Sequence, residues 1–391
     1  MVDQTFLEWP FFEDRHRQLS ADLRAWCREN IGMHGDHETD ADTVSSGFVK
    51  ALGQAGFNAH TVPAPWGGAS ESLDVRSLAI CRETLAYYHG LADFAFVMQG
   101  LGSGPISMFG TEEQRSKYLP PVAAGTAIAA LGMTEDNAGS DSAAIETRAE
   151  DMGDHWLLNG AKTFISNGII GDLFVVAAKT GDKRGQIGLF VVTADMAGFS
   201  RGRHLKKLGL PVQDTAEIRF DDIRVPKDNL LGDPGMGFAY MAECLAVERT
   251  MSAISSLSHA QAAFDITLDY IKERRAFGRP VGAFQNTRFV MADLRSRLDA
   301  AQAYLDQCVL LANAGRLTPE NAASAKLLCS ELQGDVVDAG LQFHGGAGYM
   351  DEYEISHMFR DARIARIYAG TSEIMKEIIG RGLGLGERDL T

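Results

Sequence analysis

The sequence has few cysteines, and none of them recur at the spacing of a metal site. The 391 residues include five scattered cysteines and no C-x-x-C pair: Cys27, Cys81, Cys244, Cys308 and Cys329. Structural zinc sites and disulfide frameworks are both built from cysteines at short, fixed spacings. The pattern argues against both, so we expect no bound metal, a reducing compartment and a cytoplasmic location.

Positive charge is also scarce. The chain carries 37 lysines and arginines against 52 aspartates and glutamates, a formal net charge of −15 at pH 7. Proteins that bind nucleic acid usually present basic patches to the phosphate backbone. The acidic balance therefore argues against nucleic acid as a partner.

Long apolar runs and a secretory leader are missing as well. No uninterrupted apolar run reaches the length that spans a bilayer, so we expect no integral membrane segment. The first residues, MVDQTFLEWPFFEDRHRQ, lack the basic stretch, apolar core and cleavage site of a signal peptide. A strand–G-x-G-x-x-G–helix unit is also absent, which argues against a Rossmann nucleotide fold.

Hydrophobic periodicity divides the chain into three parts. In the first third Leu19, Leu23 and Trp26 recur at helical spacing, whereas from about residue 128 the period changes to two. Helical periodicity returns in three long segments, 238–277, 285–314 and 319–344, whose lengths suggest an antiparallel bundle. We therefore predict an α+β multidomain fold with an N-terminal all-α domain (1–125), a middle β-barrel or sandwich domain (126–237) and a C-terminal four-helix-bundle domain (238–391).

Turn and cap residues predict where several elements begin and end. Thr111 followed by two glutamates predicts the start of a helix over 112–118, and Pro120-Pro121 predicts the end of that region. Thr318 followed by Pro319 predicts another helix start. The Asn-Gly pair at 159–160, between two apolar runs, predicts a tight β-hairpin turn.

The stretch 342–373 concentrates glycine and charge. A G-G-x-G run follows a long helical pattern, and Gly370-Thr371-Ser372 opens another helix. Glycine allows a close approach of backbone to a ligand, and a helix N-terminus offers free N–H groups to an anion. A helix–turn–helix with solvated arginines is the simpler interpretation of these residues taken alone.

Four other stretches carry polar residues in fixed patterns. Each of them has a plain structural interpretation when taken alone: a loop, an edge strand, a hairpin with a solvated basic end, and a helix end with cations. They are LGMTEDNAGSD (131–141), KTFISNG (162–168), KLGLPVQDTAEIRFDDIRVPKDNLLGDPGMG (207–237) and RRAFGRPVGAFQ (274–285).

Together, and in their order along the chain, the five stretches closely resemble the motifs of the acyl-CoA dehydrogenases, flavoproteins that desaturate acyl thioesters. The stretch 342–373 is most similar to the long-chain type of that family. The resemblance covers roughly residues 70–385. It implies an oxidoreductase of fatty acid β-oxidation with bound FAD, an acyl-CoA substrate, a trans-2-enoyl-CoA product, electron-transfer flavoprotein as the electron acceptor, and a homo-oligomer, expected to be a tetramer.

The resemblance also implies the residues that contact FAD. Thr134 is expected at the pyrimidine edge of the flavin, Phe164 against one flavin face, Ser166 at flavin N5, and Arg274 on the pyrophosphate of a neighbouring subunit's FAD. Three positions depart from the family pattern: Asp136 replaces proline, Phe164 replaces tryptophan and Gln213 replaces serine. The full expected set is Leu131, Met133, Thr134, Ser140, Phe164, Ser166, Arg274, Phe277, Gln285, Gln342, Gly345, Gly346, Thr371 and Glu373.

The expected catalytic base is Glu248. Many family members carry that glutamate directly before the Gly-Thr of the last motif, where this chain has Ala369. A minority, including the long-chain and isovaleryl types, carry it early in the first bundle helix, just before an arginine. Glu248-Arg249 occupies that position, so the resemblance implies Glu248 as base and Arg249, with Ser140, as substrate-binding residues; a helix-surface glutamate paired with an arginine is the alternative.

Other functions on the same fold stay open at this point. Relatives act as thioester oxidases, flavin monooxygenases, nitroalkane oxidases or acyl-carrier-protein dehydrogenases, and a flavin-retaining binding protein without activity is a further alternative. Retention of a carboxylate at Glu248 argues against an inactive protein. The long-chain-like signature and the glycines at 100, 102 and 104, which would leave room in a pocket wall, favour straight acyl chains of medium to long length.

Overall fold

A computed structural model of the chain describes residues 5–9, 12–31 and 41–386. Helices precede and follow a β-sheet, as the periodicity predicts. The helices before the sheet are α1 (Asp14–Asn30), α2 (Ala41–Gln54), α3 (Val75–Tyr88), α4 (Gly90–Phe109) and α5 (Glu112–Ala123).

The middle of the chain forms an eight-stranded, mostly antiparallel sheet. The strand order is β6-β7-β3-β2-β4-β5-β8, and β1 pairs with β4 in parallel. The strands are β1 (Ala129–Gly132), β2 (Arg148–Asp151), β3 (His155–Ser166), β4 (Leu173–Lys179), β5 (Ile187–Thr193), β6 (Phe199–His204), β7 (Thr215–Pro226) and β8 (Leu230–Gly235).

The last part of the chain is helical. A two-residue-strand hairpin, β9 (Arg275–Ala276) with β10 (Arg279–Pro280), joins its first two long helices. The helices are α6 (Gly237–Glu273), α7 (Gln285–Asn313), α8 (Pro319–His344), α9 (Glu354–Ala362) and α10 (Ser372–Gly382). The predicted fold class is confirmed: a helical part, a β-sheet part and a second helical part follow one another.

The two helical parts share one hydrophobic core. Leu85 of α3 and Phe96 of α4 belong to the same buried cluster as Leu257 of α6 and Leu305 of α7. The sheet is buried on both faces, because odd and even residues of β4 belong to two different clusters. Burial of apolar area, at about 25 cal/mol per Å², is thus the main force that holds the three parts together.

Two of the predicted helix starts are confirmed. Thr111 caps α5 in a capping box with Gln114, and Thr318 caps α8, where Pro319 takes the first position. The expectation that Pro120-Pro121 ends the region before it was wrong, because α5 continues to Ala123 through both prolines. They lie in its last turns, and the Pro120 carbonyl accepts the Ala124 N–H while the Pro121 carbonyl accepts the N–H groups of Thr126 and Ala127.

The predicted hairpin at Asn159-Gly160 was also wrong. Strand β3 runs through both residues, and its pairing with β7 shifts register there. Gly160 has a φ of +142°, and the Asn159 side chain exchanges two 2.9 Å hydrogen bonds with Asp222, which has a φ of +52°. The backbone freedom that suits Asn-Gly to turns serves a β-bulge here.

The expectation that Gly102 lines a pocket was wrong as well. Helix α4 crosses β1 so closely that a Cβ on Gly102 would lie 2.6 Å from the backbone N of Ala130. Glycine at this position therefore permits helix–sheet contact. By contrast, a Cβ on Gly104 of the same helix would meet nothing within 4 Å. Among the described residues, no helix is long and apolar enough to cross a bilayer.

Gly102→Ala should destabilise the protein because the methyl group would push α4 away from backbone atoms of β1. Overpacking of this kind typically costs about 1–3 kcal/mol in the free energy of unfolding. Gly104→Ala is the matched control and should gain up to about 1 kcal/mol from helix propensity. Urea unfolding of the two variants measures the difference, and equal or reversed effects would contradict the close approach of α4 to β1.

Candidate active site

A buried ion pair holds the end of β3 against the 131–141 loop. Lys162 is 1% exposed, and its Nζ donates to Glu135 Oε1 at 2.7 Å and to the Met133 carbonyl at 3.1 Å. Burial lowers the pKa of Lys162 to about 8, and the Glu135 carboxylate opposes a larger fall. The ammonium therefore joins two of the motifs found in the sequence.

Glu135 is held from its other side by backbone donors. The N–H groups of Glu146 and Thr147 donate to its two carboxylate oxygens at 2.5 and 3.0 Å. Burial alone would raise the pKa of Glu135, but Lys162 and these donors outweigh burial and lower it. A buried carboxylate with this many partners is a rigid anchor for the loop.

Two hydroxyl groups and an exposed ring come together beside this pair. The Thr163 N–H donates to the Thr134 carbonyl at 2.9 Å, which brings the Thr134 backbone beside the segment of β3 that carries Phe164 and Ser166. Phe164 is 65% exposed and has a φ of +56°, an unusual combination for an aromatic residue. The side-chain hydroxyls of Thr134 and Ser166 are half-buried and form no hydrogen bond to another described residue.

The other expected residues of this region differ in exposure. Leu131 and Met133 are half-buried and pack against the apolar cluster between the sheet and the helices. Ser140 is exposed, and its neighbour Asp141 pairs with Arg184 at 2.7 Å. The side chains of Leu131 and Met133 are therefore largely committed to packing.

A second group of expected residues lies on the surface between α6 and α7. Arg274 and Gln285 are exposed, and Phe277, at the tip of the β9–β10 hairpin, is 95% exposed with a φ of +51°. The side of the Phe277 ring contacts Phe284 at a centroid distance of 6.2 Å. A large aromatic ring held in solvent on strained backbone suggests that something covers it.

The end of α8 completes this surface group. Gln342, Gly345 and Gly346 are exposed, Gly345 has a φ of +61°, and a Cβ on either glycine would meet nothing within 4 Å. The Tyr270 ring stacks on His344 at 3.9 Å, which ties the end of α6 to the end of α8. Among the described residues of one chain, no hydrogen bond or ion pair connects this group to Phe164 or Ser166.

The candidate base lies inside the protein rather than on a helix surface. Glu248 of α6 is partly buried, and burial raises the pKa of its carboxyl to about 7, while Arg82 lowers it to a smaller extent. Arg82 is itself bound to Asp93 by two hydrogen bonds of 2.7 and 2.6 Å. Ser255, two turns after Glu248 on α6, donates to Asp93 at 2.7 Å.

The Glu248 turn of α6 abuts the Ala369-Gly370 turn. A Cβ on Gly370 would lie 3.9 Å from Nε of Arg249, and Lys326 donates to the Gly370 carbonyl at 2.8 Å. Ala369 and Gly370 both have positive φ, at +53° and +95°. The Arg249 Nε is buried and has no hydrogen-bond partner among the described residues, so Arg249 is not the surface partner of Glu248.

The remaining expected residues lie at the start of α10. Thr371 caps this helix by accepting the Ile374 N–H. Glu373 is exposed, and hydrogen bonds from its own backbone N–H and from Thr371 lower its pKa.

Sequence reasoning missed charged residues that are buried near Glu248 and near the Ala369-Gly370 turn. Arg82, Asp93 and Lys326 are buried charges in otherwise apolar helices. Such charges are rare in a core unless paired, so their position within the apolar helical pattern was the available signal.

Half-buried hydroxyls, exposed rings and a carboxyl of raised pKa are the polar and aromatic groups that the fold brings to this candidate site. Three family profiles match the chain in order: "Acyl-CoA dehydrogenase, N-terminal domain" (13–126), "middle domain" (130–223) and "C-terminal domain" (235–384).

Curated relatives match over nearly the whole chain. The mitochondrial long-chain specific acyl-CoA dehydrogenase of Mus musculus is 36% identical over 95% of this chain and 86% of its own. A caffeyl-CoA reductase–Etf complex subunit of Acetobacterium woodii is also 36% identical, over 94% of this chain and 98% of its own.

Solved structures show the same fold. An acyl-CoA dehydrogenase from Geobacillus kaustophilus has a TM-score of 0.89 at 37% identity, covering 96% of this chain and 99% of its own. An acyl-CoA dehydrogenase from Bacillus anthracis, complexed with FAD, has a TM-score of 0.89 at 30% identity. The match covers 95% of this chain and 68% of that chain.

This chain belongs to the acyl-CoA dehydrogenase family. The predicted family and enzyme class, an oxidoreductase acting on acyl-CoA, are confirmed. Acyl-CoA dehydrogenases are FAD enzymes, so the predicted cofactor is confirmed as well.

Lys162→Met should destabilise the protein because it leaves the Glu135 carboxylate buried without its cation. Loss of one partner of a buried pair typically costs about 3–5 kcal/mol. Adding Glu135→Gln should recover part of that loss, since the amide removes the unpaired buried charge and its oxygen still accepts one of the two backbone N–H bonds. Lys227→Met, which removes an exposed pair with Asp151, is the control and should cost less than about 1 kcal/mol.

Chemical denaturation of the four proteins tests this ordering. A loss from Lys162→Met no larger than that from Lys227→Met would contradict the anchoring role of the buried pair.

Proposed function

We propose that this protein catalyses the FAD-dependent α,β-dehydrogenation of an acyl-CoA thioester to the trans-2-enoyl-CoA. The observation that carries the proposal is the position of Glu248, a carboxyl of raised pKa on the turn of α6 that abuts Ala369-Gly370. Many family members carry their base at position 369, so a glutamate on the facing helix can reach the same reacting carbon from the other side.

Glu248 acts in this proposal as the general base that removes the α-proton. A base whose pKa lies near the working pH combines a useful fraction of carboxylate with real proton affinity. Desolvation gives Glu248 this property, since burial is the main cause of its raised pKa. The bidentate Arg82–Asp93 pair keeps a cation nearby without placing an unbalanced charge beside the base.

The residues near β3 fit a flavin. Thr134 and Ser166 supply uncommitted hydroxyls for hydrogen bonds to the ring edge, and the exposed Phe164 supplies a face to stack on it. Bound FAD supplies the acceptor for the hydride from Cβ. We assign Leu131 and Met133 to cofactor contact through their main chain, and Ser140 to contact with both cofactor and thioester.

Arg249 is assigned to the substrate. Its Nε is buried, lacks a hydrogen-bond partner among the described residues, and points to the turn that Ala369 and Gly370 form. A buried donor without a partner is costly. A thioester carbonyl or an amide of the CoA arm would satisfy it, and the burial that lowers the pKa of Arg249 would strengthen that bond.

The exposed group at the ends of α6 and α8 suggests an oligomer, and we propose a homotetramer. Phe277 on strained backbone and the open glycines at 345 and 346 suit contact with a neighbouring subunit and its FAD. We assign Arg274, Gln285 and Gln342 to that cofactor. Thr371 and Glu373 lie at the start of α10, an 11-residue helix, and complete the proposed cofactor set.

The electron acceptor is proposed to be an electron-transfer flavoprotein. Support comes from the Acetobacterium woodii relative, which is named as a subunit of a reductase–Etf complex. A cytoplasmic location is proposed because all five cysteines are buried and unpaired. Fatty acid β-oxidation is the proposed role.

Glu248→Gln should keep FAD and thioester binding but lose the α-proton acceptor. Flavin reduction by substrate should fall about 10²–10⁴-fold, the usual contribution of a general base. Anaerobic stopped-flow absorbance at saturating thioester measures this rate. Glu243→Gln, an exposed glutamate on the same helix, is the matched control and should reduce at the normal rate.

The pH dependence gives a second readout of the same variant. Because Glu248 must be ionised and its pKa is about 7, the wild-type rate should fall about tenfold per pH unit below pH 7. The Glu248→Gln variant should not show this decrease at low pH. Ala369→Glu in the Glu248→Gln background should recover part of the rate. Near-normal reduction by Glu248→Gln would remove Glu248 from the mechanism.

Arg274→Ala should weaken retention of FAD because it removes a cation assigned to the pyrophosphate. The flavin-to-protein absorbance ratio after gel filtration should fall, whereas Arg288→Ala, an exposed arginine on α7, should leave it unchanged. Light scattering of the wild type should give the mass of a tetramer. A stable, active monomer saturated with FAD would contradict the assignment of Arg274 to a neighbouring subunit.

A further inference from the structure

A cavity that is open to solvent lies where the three parts of the fold meet. Its wall includes the α3–α4 junction, the 210–213 loop of the β part, and residues of α6, α8 and α9. Tyr368, directly before Ala369, also lines it, and its ring lies 6.0 Å from that of Phe94 on the opposite wall.

The cavity follows the same face of α6 as Glu248. Of its five lining residues on α6, Ser255, His259 and Ile266 come 7, 11 and 18 positions after Glu248, and Ser256 and Ala262 lie between them. At 3.6 residues per turn all three point within about 20° of the direction of Glu248. At 1.5 Å per residue they lie roughly 10–27 Å further along the helix axis. The cavity is therefore placed to hold the distal part of an acyl chain whose α-carbon meets Glu248.

Two buried polar atoms in this cavity are uncommitted. Ser256 and Gln333 line it and are only 2% and 4% exposed. Ser256 Oγ and Gln333 Oε1 have no hydrogen-bond partner among the residues that the structure describes. A pocket meant only for hydrocarbon would not need such atoms, because buried polar groups are almost always paired.

His259 adds a donor to the same place. Its Nδ1 lies 2.5 Å from Gln333 Nε2. Because the amide N–H is the donor in this contact, the neutral ring carries its proton on Nε2. Burial lowers the pKa of His259, which favours this neutral form. The cavity thus offers a hydroxyl, a carbonyl acceptor and an N–H donor, all uncharged.

The charges around the cavity disfavour an anionic chain end. Glu354 and Asp361 line the wall, and no lysine or arginine is among the described lining residues. Two nearby cations are already committed: Arg82 is bound by both oxygens of Asp93, and Lys207 donates to the Gln213 carbonyl. A carboxylate on the acyl chain would meet repulsion without compensation, whereas a neutral oxygen would find partners.

We propose that the substrate is an acyl-CoA whose distal chain bears an uncharged hydrogen-bonding oxygen, a hydroxyl or keto group, bound by Ser256, His259 and Gln333. The inference rests on the proposed function, since it assigns the far end of a chain whose near end meets Glu248.

The direct test compares thioesters that differ only in this oxygen. Hexadecanoyl-CoA is compared with its 10-, 12- and 14-hydroxy derivatives on the wild-type holoenzyme, with butyryl-CoA as a chain too short to reach the cavity. At least one hydroxy derivative should show a kcat/KM about tenfold or more above hexadecanoyl-CoA, because it pairs buried groups that are otherwise unpaired.

Single substitutions test whether Ser256 and Gln333 cause the preference for the hydroxy derivative. Ser256→Ala and Gln333→Leu should each reduce the preference for the hydroxy derivative severalfold. Ser330→Ala is the matched control: Ser330 is a buried serine of α8 outside the cavity lining, and its hydroxyl contacts the Leu327 carbonyl at 3.4 Å. This variant should keep the wild-type preference. Isothermal titration of Glu248→Gln holoenzyme with the same thioesters should show the preference in Kd without turnover.

The outcomes separate the two proposals. Equal kcat/KM for hexadecanoyl-CoA and all three hydroxy derivatives in the wild type would overturn this inference, and so would a preference that survives both Ser256→Ala and Gln333→Leu. Failure of every thioester, butyryl-CoA included, to reduce the flavin would overturn the proposed function instead.

Discussion

The structure depends on the burial of one long helix. Helix α6 runs for 37 residues and packs against the sheet near its start, against α3 and α4 in its middle and against α7 and α8 throughout. A helix of this length in a core must have apolar or small residues on nearly every face. Polar residues near its ends, such as Glu243 and Lys272, are exposed, whereas Glu248 packs against other helices and this burial raises its pKa.

Buried polar groups in this protein fall into two kinds. Lys162–Glu135 and Arg82–Asp93 are fully paired, and each holds segments from different parts of the chain in one geometry. Of the buried atoms that are unpaired among the described residues, Arg249 Nε, Ser256 Oγ and Gln333 Oε1 lie beside the proposed substrate path, whereas others, such as Trp156 Nε1, lie elsewhere. Paired groups fix the frame, whereas unpaired groups are the ones a ligand can satisfy.

Much of the fold was predictable from the sequence because local signals and tertiary packing agree. The change of period near residue 128, the cap at Thr111 and the Thr318-Pro319 start all correspond to observed elements. The prediction of a hairpin turn at Asn159-Gly160 was wrong because positive φ occurs in β-bulges as well as in turns. Only the pairing of β3 with β7 distinguishes the two. The prediction that Gly102 lines a pocket was wrong because the space left by a missing side chain can be filled either by a ligand or by a neighbouring backbone.

The candidate site was predictable only in part. The family motifs indicate which residues face the cofactor, but the environment of Glu248 depends on Arg82 and Asp93 in other helices, and the cavity depends on α6, α8 and a loop of the sheet meeting. Such long-range juxtapositions have no local sequence signal. Their positions follow from packing, which the periodicity of single segments does not determine.

In the proposed reaction, Glu248 removes the α-proton of a thioester while the flavin is reduced. The most direct measurement is anaerobic flavin reduction at saturating substrate, with acyl-CoA deuterated at Cα, at Cβ or at both. If both C–H bonds break during flavin reduction, deuterium at Cα and deuterium at Cβ should each slow reduction, and the doubly deuterated substrate should react most slowly. Flavin reduction whose rate is insensitive to deuterium at Cα would contradict the account.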